Sequence, residues 1–353
     1  MPFVDVPTSL LIISNCRLGD SLVMIPALRL LRQSYPDATI TLASETPGAG
    51  FVGAADILGD RGLVDAFVAM PNPPGRLARL RARLEFFRTQ RRLRHDLGIV
   101  LFPPVPPLTM ALVRRLTLYL QLCGIPRRRI VAPTHILPMT REPDGSLTRL
   151  PSVVDTTLRV LEPLGLPLPP YGEANALLPP LLTPRPEPVL PTARPLLAVA
   201  PNANMPCKVW PVERFAAVLD GLPELTPVYF GGEACRPLCE QLHRRRPGRL
   251  VIGQPLSDVA AIMRHCCGYL GNDTGLMHLA AALNLPCVAI FSGRQSPGLW
   301  EPYVARRAVL RTPHLDCEGC QSFACPRPGH PCLDAISVAQ VLRASRALLF
   351  EHD

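Results

Sequence analysis

The sequence predicts an α/β fold in two halves, each a parallel sheet covered by helices on both faces. Three observations carry this. The chain has 353 residues, more than one typical domain of ~100–200 residues, so two cores are the default. Short apolar runs alternate with helical periodicity through both halves, which sets strands side by side under helices. Between Leu166 and Pro195, ten of thirty residues are proline, which excludes regular helix or sheet and suits a semi-rigid extended connector.

The elements follow in chain order. "SLLIISN" (9–15) is an apolar strand ending in the polar loop "CRLGD". The next segment, "SLVMIPALRLLRQSYP", is helical, with apolar residues at 22, 25, 28 and 31 and a stop at Pro36; "TITLAS" (39–44) is the following strand. The second half repeats the logic. A strand at "PLLAVAPNA" (195–203) leads through a loop containing Lys208 to the helix "PVERFAAVLDGL" and the strand "PVYFGG" (227–232). A helix from about Arg236 to Arg245, the strand "LVIG", the helix "SDVAAIMRHC", the strand "GYLGN", the helix "TGLMHLAAALN" and the strand "PCVAIFSG" complete it. The expected organisation is therefore a domain over 1–170, a proline-rich linker over 171–194, and a second domain over 195–353 with a Cys-rich loop at 317–332. No repeat of 20–50 residues is present.

Composition narrows the function classes. With 48% hydrophobic and 18% charged residues the chain folds rather than staying disordered. Its formal charge of +9 favours anionic company: nucleic acid, acidic lipid headgroups or a phosphorylated substrate. The start lacks a basic segment before its apolar run, which argues against a signal peptide. The apolar zone at 97–125 is broken by four prolines and by Arg114–Arg115, so it lacks the ~20 uninterrupted residues of a spanning helix. The expected location is cytoplasmic. There, twelve cysteines point to thiols or a metal site more than to disulfides.

Three loops at strand ends hold the chemical interest, because ligands collect at the carboxyl ends of parallel strands. In "GNDTGLMHLAAAL" (271–283), Asp273 can cap a helix whose free N–H groups at Thr274 and Gly275 suit a phosphate, and His278 lies one turn further along the same face. A well-capped helix with a core histidine accounts for the same residues. The second loop carries Lys208, the only lysine of the chain; a lysine is a compact charge that binds phosphate well, though a surface lysine beside a buried Trp210 needs no such role. In "CRLGDSL" (16–22), Gly19 permits a tight turn and Asp20 stands at the helix start, as an N-cap or as a general base.

Two further features stand apart. Cys317, Cys320, Cys325 and Cys332 form C-x2-C-x4-C-x6-C in a loop-like segment, a density that in a cytosolic protein suggests structural zinc or iron more than disulfides, although the spacing is not a standard finger. The arginine-rich helix at 76–96 reads either as an amphipathic surface helix touching acidic lipid, with Leu77, Leu80, Leu84 and Phe87 on one face, or as a solvated helix packed on the sheet.

"GDSLVMIPALRLLRQSYPDATITLAS", "KVWPVERFAAVL", "YFGGE", "LSDVAAIMRHCCGYLGNDTGLMHLAAALNLPCVAIFSG" and "CEGCQSFACPRPGHPCLDAISVAQVL" resemble, in order and spacing, the heptosyltransferase-like glycosyltransferases of family 9, which build lipopolysaccharide inner core from ADP-heptose. The resemblance runs from about Leu10 to Leu342. It implies two Rossmann-like domains facing across a cleft, the GT-B arrangement, with acceptor bound mainly by the first and nucleotide sugar by the second. It also implies Asp20 as base, Lys208 on the diphosphate, and Asn204, Glu233, Asp273, Thr274, Gly275 and His278 as substrate-binding residues. No cofactor is then required for catalysis. The implied partners are an ADP-heptose type donor and a lipopolysaccharide core or lipid A precursor acceptor, with peripheral contact at the inner leaflet and no nucleic acid. Where many relatives have Gly-Pro-Thr after the last strand, this chain has "SGRQSP", with Arg294 and Gln295, so donor class is better marked than donor identity.

Other classes make different predictions. A nucleic-acid-binding protein using the Cys cluster as a metal module would bind RNA or DNA in a salt-dependent way, though 5% aromatic residues and no stacking motif weigh against it. A sugar-nucleotide epimerase of similar fold would turn over donor with no acceptor present.

Overall fold

The computed structural model describes residues 6–15, 17–45, 53–59, 62–174 and 194–350. The chain forms two compact units, one of Met1–Pro138 with Val153–Leu178, the other of Met139–Ser152 with Pro179–Asp353. Most of the expected linker, residues 175–193, lies outside the described residues.

The first unit alternates β1 (Ser9–Ile13), α1 (Leu18–Ser34), β2 (Thr39–Glu45), α2 (Ala54–Leu58), β3 (Ala66–Met70), α3 (Arg76–Arg92), β4 (Leu97–Val100), α4 (Met110–Leu122), β5 (Ile130–Val131) and α5 (Val153–Arg159). Its five strands are parallel in the order β3-β2-β1-β4-β5. In β1, Leu10, Leu11, Ile12 and Ile13 are all fully buried, as a strand covered on both faces requires. The helix after it buries Leu22, Ile25, Leu28 and Leu31, so the apolar spacing seen in the sequence is its core stripe.

The second unit carries β6 (Leu196–Ala200), α6 (Val212–Asp220), β7 (Thr226–Gly231), α7 (Arg236–Arg245), β8 (Arg249–Ile252), α8 (Leu256–Met263), β9 (Cys266–Asn272), α9 (Gly275–Ala282), β10 (Cys287–Ile290), β11 (Arg307–Leu310), α10 (Pro331–Asp334) and α11 (Val338–Phe350). Its six parallel strands run β11-β10-β9-β6-β7-β8. Trp210 and Phe215, both fully buried, meet edge to face at 5.1 Å in its core.

Strand order decides where a ligand can sit. In each unit the chain reverses its direction of strand addition once, between β1 and β4 and between β6 and β9. The loops after those strands diverge to opposite faces there and leave a crevice at the carboxyl end of the sheet. Asp20, Lys208 and Asp273 all follow these strands.

Residues 139–152 join the second unit although both chain neighbours belong to the first. An isolated antiparallel bridge, Arg141 to Leu147, shapes the segment. The Leu150 N–H donates to Pro297 O at 2.9 Å, the Gln321 amide to Met139 Sδ at 3.2 Å, and Arg149 pairs with Glu301. Gly298 is held at φ +85°, and a Cβ there would lie 2.1 Å from Leu150 O, so only glycine admits this crossing.

The arginine-rich helix α3 lies at the surface of the first unit. It buries Phe86 and Gln90 and leaves Leu77, Leu80 and Leu84 exposed, Leu77 by 73%. Leucines and arginines therefore share the outward face. Among the described residues no helix is long and apolar enough to cross a membrane.

Candidate active site

The end of β9 and the loop after β6 meet through one ion pair. Lys208 Nζ lies 2.5 Å from Asp273 Oδ2, with only 16% and 10% of the two side chains exposed. Lys208 closes a short 3-10 turn, Pro206–Lys208, anchored by the buried Cys207 and Trp210 on either side of the lysine. The sheet holds both partners: Asp273 N–H donates to Ile290 O at 3.1 Å, which fixes the carboxylate beside the strand ends.

Asn272, fully buried, is the residue that joins these loops. Its Oδ1 accepts from Trp210 N–H at 3.2 Å and its amide donates to Pro201 O at 2.8 Å. Tyr269 Oη donates to the Asn272 carbonyl at 3.1 Å. One side chain thus satisfies backbone groups on both sides of the Lys208 loop, which would otherwise be buried without partners. In the sequence Asn272 only ends the strand "GYLGN", with nothing that marks it for this role. A wholly buried amide in an apolar strand was the available signal, because such a group must be satisfied.

The cap of α9 is not Asp273. Thr274 occupies the N-cap, its Oγ1 accepting from Leu276 N–H at 3.1 Å. Both residue types cap well; with Thr274 in that place the Asp273 carboxylate is released to hold Lys208. Gly275 is the first residue of the helix, so the N–H groups of its first turn open toward the same strand ends. His278, 6% exposed, sits one turn along and meets Trp300 edge to face at 5.9 Å. Burial pushes its imidazole down to about 4, with Asp273 opposing and Lys208 reinforcing the shift, so the ring is neutral near pH 7.

Two other expected residues lie near by in the chain order of the sheet. Asn204 is exposed in the loop between β6 and Lys208. Glu233 follows β7, the strand beside β6, and both of its oxygens are 2.9 Å from the Arg236 guanidinium, which holds the carboxyl below its usual range.

In the first unit, Asp20 is the third residue of α1. The N-cap position belongs to Arg17, which makes no side-chain cap, so Asp20 is not the cap expected from the sequence. An acidic residue in the first turn suits the helix dipole. The Asn15 amide donates to Asp20 Oδ2 at 3.0 Å and orients the carboxylate at the end of β1.

The Cys-rich loop packs on the Lys208 turn. The Cys207 N–H and Sγ donate to Phe323 O at 3.3 Å and to Ser322 O at 3.0 Å. Arg294 grips the same stretch through Ser322 O and Gln321 O, and the buried Arg311–Glu318 pair, 3.1 Å apart, ties its base. The loop does not gather its thiols as expected. Cys332 is buried against the core through α10 whereas Cys320 is exposed, and among the described residues no three His, Cys, Asp or Glu side chains converge as a ligand set.

Residues 153–330 match the family model "Glycosyltransferase family 9 (heptosyltransferase)". A lipopolysaccharide heptosyltransferase 2 of Escherichia coli is 33% identical over 132 residues, covering 35% of this chain and 38% of that protein. The match thus spans well under half the length of that relative. Among solved structures, a family 9 glycosyl transferase of Veillonella parvula aligns with a TM-score of 0.69 at 22% identity, covering 98% of both chains. The E. coli ADP-heptose lipopolysaccharide heptosyltransferase II aligns at 0.64 and 21% identity, covering 97% of this chain and 98% of the other. These likenesses show the fold: two parallel-sheet α/β units of the GT-B type.

Proposed function

The chain belongs to glycosyltransferase family 9, and from that premise we propose that it moves a heptose from an ADP-sugar to a hydroxyl of a lipopolysaccharide core acceptor with inversion. The observation that carries the reading is the Lys208–Asp273 pair at the switch point of the second sheet, beside the open N-terminus of α9. A cation held by a single carboxylate and flanked by free amides is a ready site for a diphosphate.

In this mechanism the acceptor oxygen attacks the anomeric carbon opposite the diphosphate. Asp20, oriented by Asn15, takes the proton of that hydroxyl as the new bond forms. The bond from the anomeric carbon to the phosphate oxygen breaks, and ADP leaves with the electron pair. Lys208 and the N–H groups around Thr274 and Gly275 meet the charge that grows on the diphosphate, so the step calls for no catalytic metal. Asn204 and Glu233, at the ends of neighbouring strands, are assigned to the rest of the donor.

Two finer points belong to the same reading. Structural zinc or iron in the Cys-rich loop rests on the thiol spacing alone; metal analysis with thiol titration decides it, and a metal-free protein in which Cys317, Cys320 and Cys325 react excludes it. Peripheral contact with acidic lipid rests on the exposed Leu77, Leu80 and Leu84 among the arginines of α3.

The test is a thermal-shift panel of nucleoside diphosphates and nucleotide sugars, followed by mass spectrometry of core acceptors incubated with the best donor. Stabilisation by ADP and its sugars and a mass gain of one sugar are expected. Donor turnover without acceptor, or nucleic-acid binding with no response to ADP-sugars, overturns the assignment.

A further inference from the structure

The chain between residues 139 and 152 is seated on the second unit, while the residues before and after it belong to the first. It holds two loops of the second unit at once. Toward its start, the Arg141 guanidinium donates to Asp316 O at 3.3 Å and to Glu318 O at 3.0 Å, and Met139 Sδ accepts from the Gln321 amide. Gln321 sits in the left-handed region, at φ +54°, which a residue with a side chain keeps only where its surroundings fix it. Toward the end of the segment, Leu150 N–H donates to Pro297 O, and both terminal nitrogens of Arg149 reach the Glu301 carboxylate. An exposed ion pair usually contributes little. This one is a two-point fork onto a carboxylate only 8% exposed, which also accepts from Gly298 N–H at 2.7 Å, so it fixes the turn that follows Pro297.

The clamped turn borders the candidate site. Strand order sets the ends of β7, β6, β9 and β10 side by side, and Glu233, Lys208, Asp273 and the turn at 294–301 follow them in that order. On the donor reading proposed above, the nucleotide spans the first two ends and the diphosphate meets Lys208 and Asp273. The sugar then falls over the end of β10. The side chains there suit it: Trp300 lies edge to face on His278 at 5.9 Å, and Gln295, Ser296 and Trp300 line a narrow cavity together with Asp273. Among the described residues Ser296 Oγ and Trp300 Nε1 are buried without hydrogen-bond partners. Buried polar groups are normally satisfied, and a hydroxyl-rich ligand is the kind that would satisfy these two.

We propose that residues 139–152 are a brace for donor-sugar recognition, with Arg149 and Glu301 as positioning residues that hold the turn carrying Ser296 and Trp300. The inference rests on the donor reading and adds to it the wall that meets the sugar and the segment that steadies that wall. Arg149 acts through Glu301, and Glu301 through the turn. Their contribution is preorganisation, because a turn already fixed does not have to be ordered when the sugar binds. Losing the clamp therefore weakens the hold on the sugar and spares the hold on ADP.

The test reads binding, so it needs no acceptor. Calorimetry with ADP and with ADP-heptose compares the full chain of the wild type with Arg149→Leu and Arg149→Lys. Arg149→Leu is expected to weaken ADP-heptose about tenfold and to leave the ADP Kd within about twofold of the wild type. Arg149→Lys keeps a charged contact and is expected to recover most of that loss. Acrylamide quenching gives a second reading without any ligand. Trp300 is one of two tryptophans and the other, Trp210, is fully buried, so the difference from Trp300→Phe reports the turn, which is expected to be quenched more readily in Arg149→Leu. Glu301→Gln keeps an acceptor for Gly298 N–H and weakens the ion pair; it is expected to shift both readings the same way and serves where Arg149→Leu does not fold. Wild-type affinity for ADP-heptose in the folded variants overturns the proposal and leaves the donor reading standing. An ADP Kd that weakens as much as the ADP-heptose Kd overturns it too, as does unchanged quenching, since the turn is then held by other contacts. Wild-type protein that binds neither ligand removes the donor reading itself, and the brace's role with it.

Discussion

His278 offers a prediction whose size follows from its burial. The ring is 6% exposed and pushed to about 4, against about 6.5 in an unfolded chain. As the pH falls below 6.5 the unfolded state takes up a proton that the native ring refuses until about pH 4. The folded pKa is depressed, so the stability tied to this group is intact above pH 6.5 and drains away as the pH approaches 4. Between pH 8 and pH 5 the loss is about 2 kcal/mol, and it reaches about 3 kcal/mol below pH 4. Urea unfolding followed by tryptophan fluorescence suits the measurement, because both tryptophans, Trp210 and Trp300, lie in the second unit and report on it alone. His278→Gln keeps a polar side chain that cannot titrate. Its stability is expected to fall less between pH 8 and pH 5 than the wild type's, by about 2 kcal/mol, with the other titrating groups cancelling in the difference. Parallel pH profiles for the two proteins would show that the native imidazole titrates normally, and the buried neutral ring would have to be abandoned.

The remaining predictions concern the two loops and the outer helix. Lys208→Arg preserves charge but forces a planar fork into a partly buried place shaped for an ammonium; turnover is expected to drop by roughly 10²-fold with ADP binding kept, and a wild-type rate refutes the role. Asp20→Asn is expected to bind ADP normally and lose ~10²–10⁴ in kcat; an unchanged kcat returns Asp20 to a dipole-matching residue. Asn272→Ala strands the Trp210 N–H and Pro201 O and is expected to cost about 2 kcal/mol or more of second-unit stability by the same fluorescence assay, while a neutral result means water replaces the amide. Leu77→Ser/Leu80→Ser/Leu84→Ser is expected to abolish sedimentation with anionic vesicles, and raised salt is expected to weaken it in the wild type; sedimentation equal to wild type in the variant excludes α3 as the contact.

Local periodicity made much of this architecture legible. The apolar run at the start of β1 and the spacing 22, 25, 28, 31 in α1 specify burial on their own, and the structure buries those residues. The arrangement of α3 was not legible, because Leu77, Leu80, Leu84 and Phe87 fall on one face of "RLARLRARLEFFRTQRR" and that spacing alone does not say whether the face is covered; the three leucines stay exposed. Its orientation is set by Phe86 and Gln90, which find partners only in the folded unit. The choice between Asp273 and Thr274 as cap was equally closed to reading, since either can accept from the first-turn amides. What decides it is Lys208, 65 positions earlier in the chain, and that neighbour appears only when β6 and β9 lie side by side. The segment 139–152 carries no periodicity at all; it is ordered by Pro297 and Glu301, distant in sequence.

That segment has a consequence for biogenesis. Because residues 139–152 leave the ribosome before 153–178 but find their seats only on residues near 297 and 301, the nascent front unit can close around a strand of chain that must wait, unseated, for over a hundred more residues to be synthesised. Expressing 195–353 alone would strip the Glu301 carboxylate of Arg149 and bare the Pro297 carbonyl. A gene rearranged to carry 139–152 fused ahead of residue 195 would be the natural way to obtain the rear unit by itself.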